Sequence, residues 1–219
     1  MYQSNIGEIV SGSGPGVPSA FIMDVGAHNG DDTAYYLHRG YRVVAVEASP
    51  DVPSVTMGDL LERHGVPNYL EIDIEGMDQE CLQSLDKENL PRYISLELSH
   101  GDDIIGSLEK LGYTRFKVVN QMTYTTAVSI FPHEIGWRLL RKTRLGKLLP
   151  DGIKIDCDRV HTSHDWVFRQ GCSGPFGEDT FGDWLTADRA SQLYQRVRGV
   201  FVRAGRPLAH CWYDVHATL

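Results

Sequence analysis

Three short stretches of the chain carry acids and glycines at spacings that suit a nucleotide-bearing ligand. Phe21-Ile-Met-Asp-Val25 is an apolar run holding one acid, Gly26-Ala-His-Asn-Gly30 is a small-residue turn, and Asp31-Asp32 opens the next segment. Glycines let the backbone pass close to a ligand, and a helix N-terminus with its loop amides supplies donors. Glu47 ends the next apolar run, 23 positions after Asp24. A carboxylate there can accept both hydroxyls of a ribose. Asp73 and Glu75 follow a third run that begins at Tyr69. Two positions apart on a strand they point the same way, so one can act as general base toward a hydroxyl while the other orients substrate. Equally, both suit the start of the helix that follows them. His100, just beyond the run Tyr93-Ile-Ser-Leu-Glu97, is a further base candidate or a plain turn residue.

The loop discriminates between cofactors. A pyrophosphate asks for G-x-G-x-x-G, whereas this chain has G-x-x-x-G with Asp24 before it and Asp31-Asp32 after it. Negative charge where a pyrophosphate would lie disfavours a dinucleotide and suits a sulfonium with an ammonium-bearing tail. S-adenosylmethionine is such a ligand.

The elements that must position these residues alternate. Phe21–Val25, Tyr41–Glu47, Tyr69–Asp73, Tyr93–Glu97 and Arg115–Val119 read as strands; the segments 32–39, 56–63, 77–85 and 103–111 between them read as helices. Thr56 with Asp59 has the form of a capping box, and Gly40, Gly65 and Gly112 stand where helices end. This rhythm predicts an α/β fold with a mostly parallel sheet and helices on both faces. Residues 1–19, with Ser11-Gly-Ser-Gly-Pro-Gly, read as a flexible leader, 20–120 as the core, and 121–219 as a C-terminal part that completes the sheet and covers an acceptor site. Within the last part, Thr125–Phe131, His164–Phe168 and Trp212–His216 are strand candidates. A basic amphipathic helix is expected over Glu134–Leu149, a final helix from Thr186 to about Val202, and a loop over Gly171–Thr180 that is either a lid or a turn.

Composition narrows the partners. The 219 residues carry a net charge of −8, which repels phosphate backbones and excludes a general nucleic-acid binder. The cysteines at 81, 157, 172 and 211 form no C-x-x-C pair, and His161, His164, His210 and His216 have no metal-ligand spacing, so no metal is expected. No apolar run is long enough to span a membrane, and no secretion signal precedes Pro18, so a cytoplasmic location is expected. Whether the chain forms a homo-oligomer is left open.

Asp24-Val-Gly-Ala-His-Asn-Gly30, Val43-Val-Ala-Val-Glu47-Ala-Ser-Pro50 and Tyr69-Leu-Glu-Ile-Asp73-Ile-Glu75-Gly76 resemble, in order, the motifs of the FkbM family of S-adenosylmethionine-dependent methyltransferases. The resemblance covers roughly residues 20–120. It implies a Rossmann-like class I methyltransferase fold and O-methylation of a hydroxyl on a small-molecule or glycan acceptor. Asp24, Gly26, Ala27 and Gly30, with His28 and Asn29 in the same loop, would line the methionine part of the cofactor; Glu47 and Ala48 would take the ribose. Asp73 would lie against the cofactor and, with Glu75 and His100, serve catalysis. The chain departs from the family where Pro50-Asp-Val-Pro53 joins in a few residues what is elsewhere a helix and a strand, so one βα segment after the second strand is missing. His28 stands where the family commonly has Asn, and Glu71 where it commonly has Lys. The shortening keeps a second function class in view, a scaffold domain that has lost its cofactor. A nicotinamide-dependent oxidoreductase is a third, weaker reading.

Overall fold

A computed structural model of the chain describes residues 7–9, 20–47, 55–74, 76–98, 103–121, 125–126, 161–163, 165–168, 172–180, 182–203 and 212–219. The strands of its main sheet are β1 (Gly7–Ile9), β2 (Phe21–Val25), β3 (Arg42–Val46), β4 (Tyr69–Ile72), β5 (Tyr93–Glu97), β6 (Arg115–Asn120), β7 (Thr125–Thr126) and β10 (Tyr213–Thr218). A separate hairpin pairs β8 (His161–Ser163) with β9 (Trp166–Phe168). The helices are α1 (Asp31–His38), α2 (Met57–His64), α3 (Asp78–Gln83), α4 (Ile104–Leu111) and α5 (Ala187–Arg203).

The body of the sheet runs β3-β2-β4-β5-β10-β6, with the short β1 and β7 at its two edges. From β3 to β5 the strands are parallel, while β10 runs against both neighbours. Successive strands thus go from β2 outward to β3, then back to the other side of β2 as β4. That reversal leaves a crevice beyond the carboxyl ends of β2 and β4, where open α/β sheets bind ligands.

Strand alternation sorts the side chains onto two faces. Met23, Val44, Leu70, Ile72, Ile94, Leu96, Val118 and Val215 point to one, where Met57, Leu60, Leu82, Ile105, Leu108 and Tyr194 of α2 to α5 cover them. Ile22, Val43, Tyr69 and Tyr93 point to the other, beneath Tyr35 and Tyr36 of α1 and the distant residues Phe168, Cys172 and Phe176. Local signals hold the frame. Thr56 caps α2 through the Asp59 amide at 3.1 Å while the Asp59 carboxylate accepts from the Thr56 amide, an arrangement worth about 1 kcal/mol.

Several expectations are altered. Three residues inside the supposed leader, Gly7–Ile9, pair antiparallel with Val43–Ala45, because the outer edge of β3 offers unpaired backbone groups. The last strand spans Tyr213–Thr218 and inserts between β5 and β6, which makes the sheet mixed. Among the described residues the strand at 166–168 pairs with β8, outside the main sheet. The loop left open between a lid and a turn is packed: Cys172 to Phe176 are buried, and Phe176 stacks on Tyr69 with ring centroids 4.0 Å apart. The basic helix expected over residues 134–149 lies outside the described residues.

Candidate functional site

The register of the strands places polar residues in line across the face under α1. Asp24 lies opposite Glu71, Glu71 opposite Ser95, Ser95 opposite His216, and His216 opposite Lys117. All five are at least nine-tenths buried. One row nearer the carboxyl ends of the parallel strands come Glu47, Asp73, Glu97 and Asp214, the last two directly opposite each other. Asp32, from the first turn of α1, stands over the same face. The site is therefore a field of carboxylates at the sheet's switch point.

Burial without cations changes their chemistry. Desolvation pushes the Asp24 carboxyl up to about 6, opposed by the Thr33 hydroxyl that donates to it and reinforced by the charge of Glu47. Asp32 rises to about 7, again through burial first, although the Ser173 and Gly174 amides donate to it at 3.0 and 3.3 Å. Glu71 is raised well above the carboxylate range by burial and by Asp32 and Asp24; Tyr36 donates its hydroxyl to it. Asp214 is raised likewise by burial, Asp73 and Glu97, with Oδ1 accepting from Gln121 at 2.8 Å. Of its two oxygens, Oδ2 has no hydrogen-bond partner among the described residues. Among the described residues, none of the causes that act on Asp24, Asp32, Glu71 or Asp214 is a cation.

The glycine turn brings the crevice walls together. Gly26 sits at φ +106°, and a Cβ built on it would lie 1.9 Å from the Asp73 carbonyl oxygen, so only glycine lets the ends of β2 and β4 approach this closely. Gly30 and His28 also have positive φ, +79° and +44°. The turn does not, however, offer the row of amide donors expected of it. The Gly26 and Ala27 amides donate to the Val46 carbonyl, His28 to Glu47 Oε2, Gly30 to the Ala27 carbonyl and Asp31 to Asn29 Oδ1. With these five amides engaged within the fold and carboxylates in excess, the crevice suits a cation rather than a phosphate.

The structure thus brings together Asp24, Gly26, Ala27, His28, Asn29, Gly30, Glu47 and Asp73. Ala48, Glu75 and His100 lie outside the described residues. The N-cap of α3, Met77, has no side-chain cap bond, and Asp78 accepts from the Ile74 amide at 2.9 Å, while the Asp73 amide donates to the Val25 carbonyl. Glu71, Asp214, Tyr36 and Ser173 belong to the site without having been assigned a role there from sequence, whereas the sequence already places Asp32 there as negative charge beside the glycine turn. An acid at an inward position of an otherwise apolar strand, as in Tyr69-Leu-Glu-Ile, was the available signal for Glu71.

Among the described residues no three of His, Cys, Asp and Glu are grouped so as to hold a metal ion, and no helix is long and apolar enough to cross a membrane. No family model matches the chain, and no curated protein or solved structure gives a significant match to it.

Proposed function

We propose that the chain is an S-adenosylmethionine-dependent methyltransferase acting on a hydroxyl of a sugar or natural-product-type acceptor. The observation that carries this reading is the convergence of Asp24, Asp32, Asp73 and Glu47 on a crevice where the Gly26, Ala27, His28, Gly30 and Asp31 amides are already engaged. A sulfonium with an ammonium tail meets acceptors there, whereas a pyrophosphate meets a turn in which the Gly26, Ala27, His28, Gly30 and Asp31 amides are already engaged. The finer fold reading, a Rossmann-like class I methyltransferase core short of one βα segment, is part of the same proposal. It is supported by the switch point at β2 and β4 and by the reversed strand between β5 and β6.

The residues present fit the cofactor. No described cation acts on the Asp24 and Asp32 carboxyls, and a bound ammonium would return them to the charged form. Glu47, fixed by the His28 amide, would accept from the ribose hydroxyls. When bound, the cofactor would supply an electrophilic methyl group to the acceptor oxygen, whose proton would pass to a base. Asp73 at the crevice rim is the described residue best situated to take that proton and to hold the hydroxyl in line. Holding the reactants in line supplies most of the acceleration in such a reaction.

Calorimetric titration with S-adenosylhomocysteine tests the assignment. Glu47→Ala should weaken binding by about 1–3 kcal/mol, the worth of hydrogen bonds to a charged group. Equal affinity in the variant would remove Glu47 from the ribose site. A scaffold reading is favoured by one observation, that β1 occupies the edge of β3 where a further strand of the fold would pair. Absence of any binding heat in the wild-type chain would make that reading the better one.

A further inference from the structure

Asp32 is gripped by two consecutive backbone amides from a distant part of the chain. Ser173 donates to its Oδ2 at 3.0 Å and Gly174 to its Oδ1 at 3.3 Å, across 141 and 142 positions. Gly174 holds φ +84°, a conformation that glycine adopts without strain. The same carboxyl interacts electrostatically with Asp24 of β2 and Asp73 of β4, on the crevice side. We propose that Ser173 and Gly174 are positioning residues of the cofactor site: their amides hold the Asp32 carboxylate for the ligand's ammonium group, and ammonium binding tightens their grip in return. This inference rests on the S-adenosylmethionine reading of the crevice.

Charge carries the first half of the argument. The charged groups that act on Asp32 are the acids Asp24 and Asp73, and Asp32 in turn acts on Glu71 of β4, Asp214 of β10 and the hydroxyls of Tyr36 in α1 and Tyr69 in β4. None of these described groups is a cation, and burial holds the Asp32 proton up to about pH 7. A bound ammonium favours the charged carboxylate. Hydrogen bonds to a charged acceptor are roughly twice as strong as those to a neutral one, so the ligand strengthens both amide bonds by ionising Asp32. By linkage the two amides raise the ligand's affinity by the same factor.

Packing carries the second half, because the rest of the segment is held without Asp32. Phe176 stacks on Tyr69, Lys117 donates to the Gly177 and Thr180 carbonyls, and Arg39 pairs with Asp179 at 3.1 Å. The response to the ligand is therefore confined to Ser173 and Gly174, and Asp179 serves as an internal reference.

Hydrogen exchange followed by NMR on the full chain tests the coupling. Saturating S-adenosylhomocysteine should slow exchange of the Ser173 and Gly174 amides by about fivefold or more and leave the Asp179 amide within about twofold. Saturating 5′-methylthioadenosine, which keeps the nucleoside and lacks the ammonium, should leave all three unchanged. Calorimetric affinity for S-adenosylhomocysteine should rise at least about tenfold from pH 6 to pH 8, as the ionised fraction of a carboxyl titrating near 7 does. Asp32→Asn, its fold checked by circular dichroism, should reduce that rise to about twofold or less, the share left to Asp24 at about 6. Should that variant fail to fold, the wild-type exchange comparison decides alone. Unchanged exchange at Ser173 and Gly174 with bound S-adenosylhomocysteine, equal slowing by 5′-methylthioadenosine, or affinity independent of pH would overturn this inference and leave the cofactor reading standing. Absence of any binding heat with S-adenosylhomocysteine would overturn both.

Discussion

Replacing Gly26 by Ala should damage the chain more than replacing Gly30, although both residues have positive φ and lie in the same turn. At Gly30, φ is +79° and nothing lies within 4 Å of an added Cβ, so Gly30→Ala costs only backbone strain, about 1–3 kcal/mol. At Gly26 comparable strain is joined by overlap, because the added Cβ lies 1.9 Å from the Asp73 carbonyl oxygen and 2.6 Å from its carbon. Relieving it requires the end of β4 to move away from β2 by about 1 Å, an overpacking that costs roughly 1–3 kcal/mol more. For a chain of this length that difference lowers the unfolding midpoint by an additional ~2–10 °C. Urea unfolding and calorimetric scans of the two variants measure it, and S-adenosylhomocysteine affinity should fall in Gly26→Ala well beyond its fall in Gly30→Ala. Equal stability of the two would refute the close approach of β2 and β4 that builds the crevice.

Other outcomes follow from the buried charges. Asp32 keeps its proton up to about pH 7 in the folded chain against an ordinary 3.8, so the folded form holds more protons between these values and loses stability as pH rises through them. Asp32→Asn keeps an oxygen for only one of the two amides that donate to Asp32, so it carries a constant cost, but its stability relative to wild type should rise by about 2–3 kcal/mol between pH 5 and pH 8 in urea unfolding, whereas a pH-independent difference would contradict the burial of the charge. Lys117 donates to the Thr180 carbonyl and hydroxyl at 2.8 and 2.9 Å and to the Gly177 carbonyl at 3.3 Å. Lys117→Met should cost about 2–4 kcal/mol and raise hydrogen exchange over residues 177–180, since buried acceptors are left without a donor. His216 is buried beside Lys117, with its pKa lowered to about 3 by desolvation first. Its ring proton signals in NMR should stay unshifted between pH 5 and pH 8, and a titration near 6.5 would show that water reaches it.

Local chemistry was legible in the sequence and long-range packing was not. The capping box of Thr56, the glycine at the end of α4 and the alternation of strands and helices from Phe21 to Asn120 depend on neighbours within a few residues, and they stand where periodicity places them. The position of β10 between β5 and β6 depends on partners about a hundred residues away, which no local pattern encodes. Glu71 shows the same limit within the site. Alternation assigns it to the face of Tyr69, but its burial depends on Tyr36 and on the segment around Ser173. Likewise the glycines around Phe176 read as an open loop, whereas its ring stacks on Tyr69 and closes the core beneath the site.

The central claim is that the crevice at β2 and β4 takes a sulfonium-type adenosyl cofactor rather than a dinucleotide. Calorimetric titration of the wild-type chain with S-adenosylhomocysteine and, separately, with NADH tests it most directly. Saturable heat with the former and none with the latter is the expected result. No heat with S-adenosylhomocysteine, or tight binding of NADH, would contradict it.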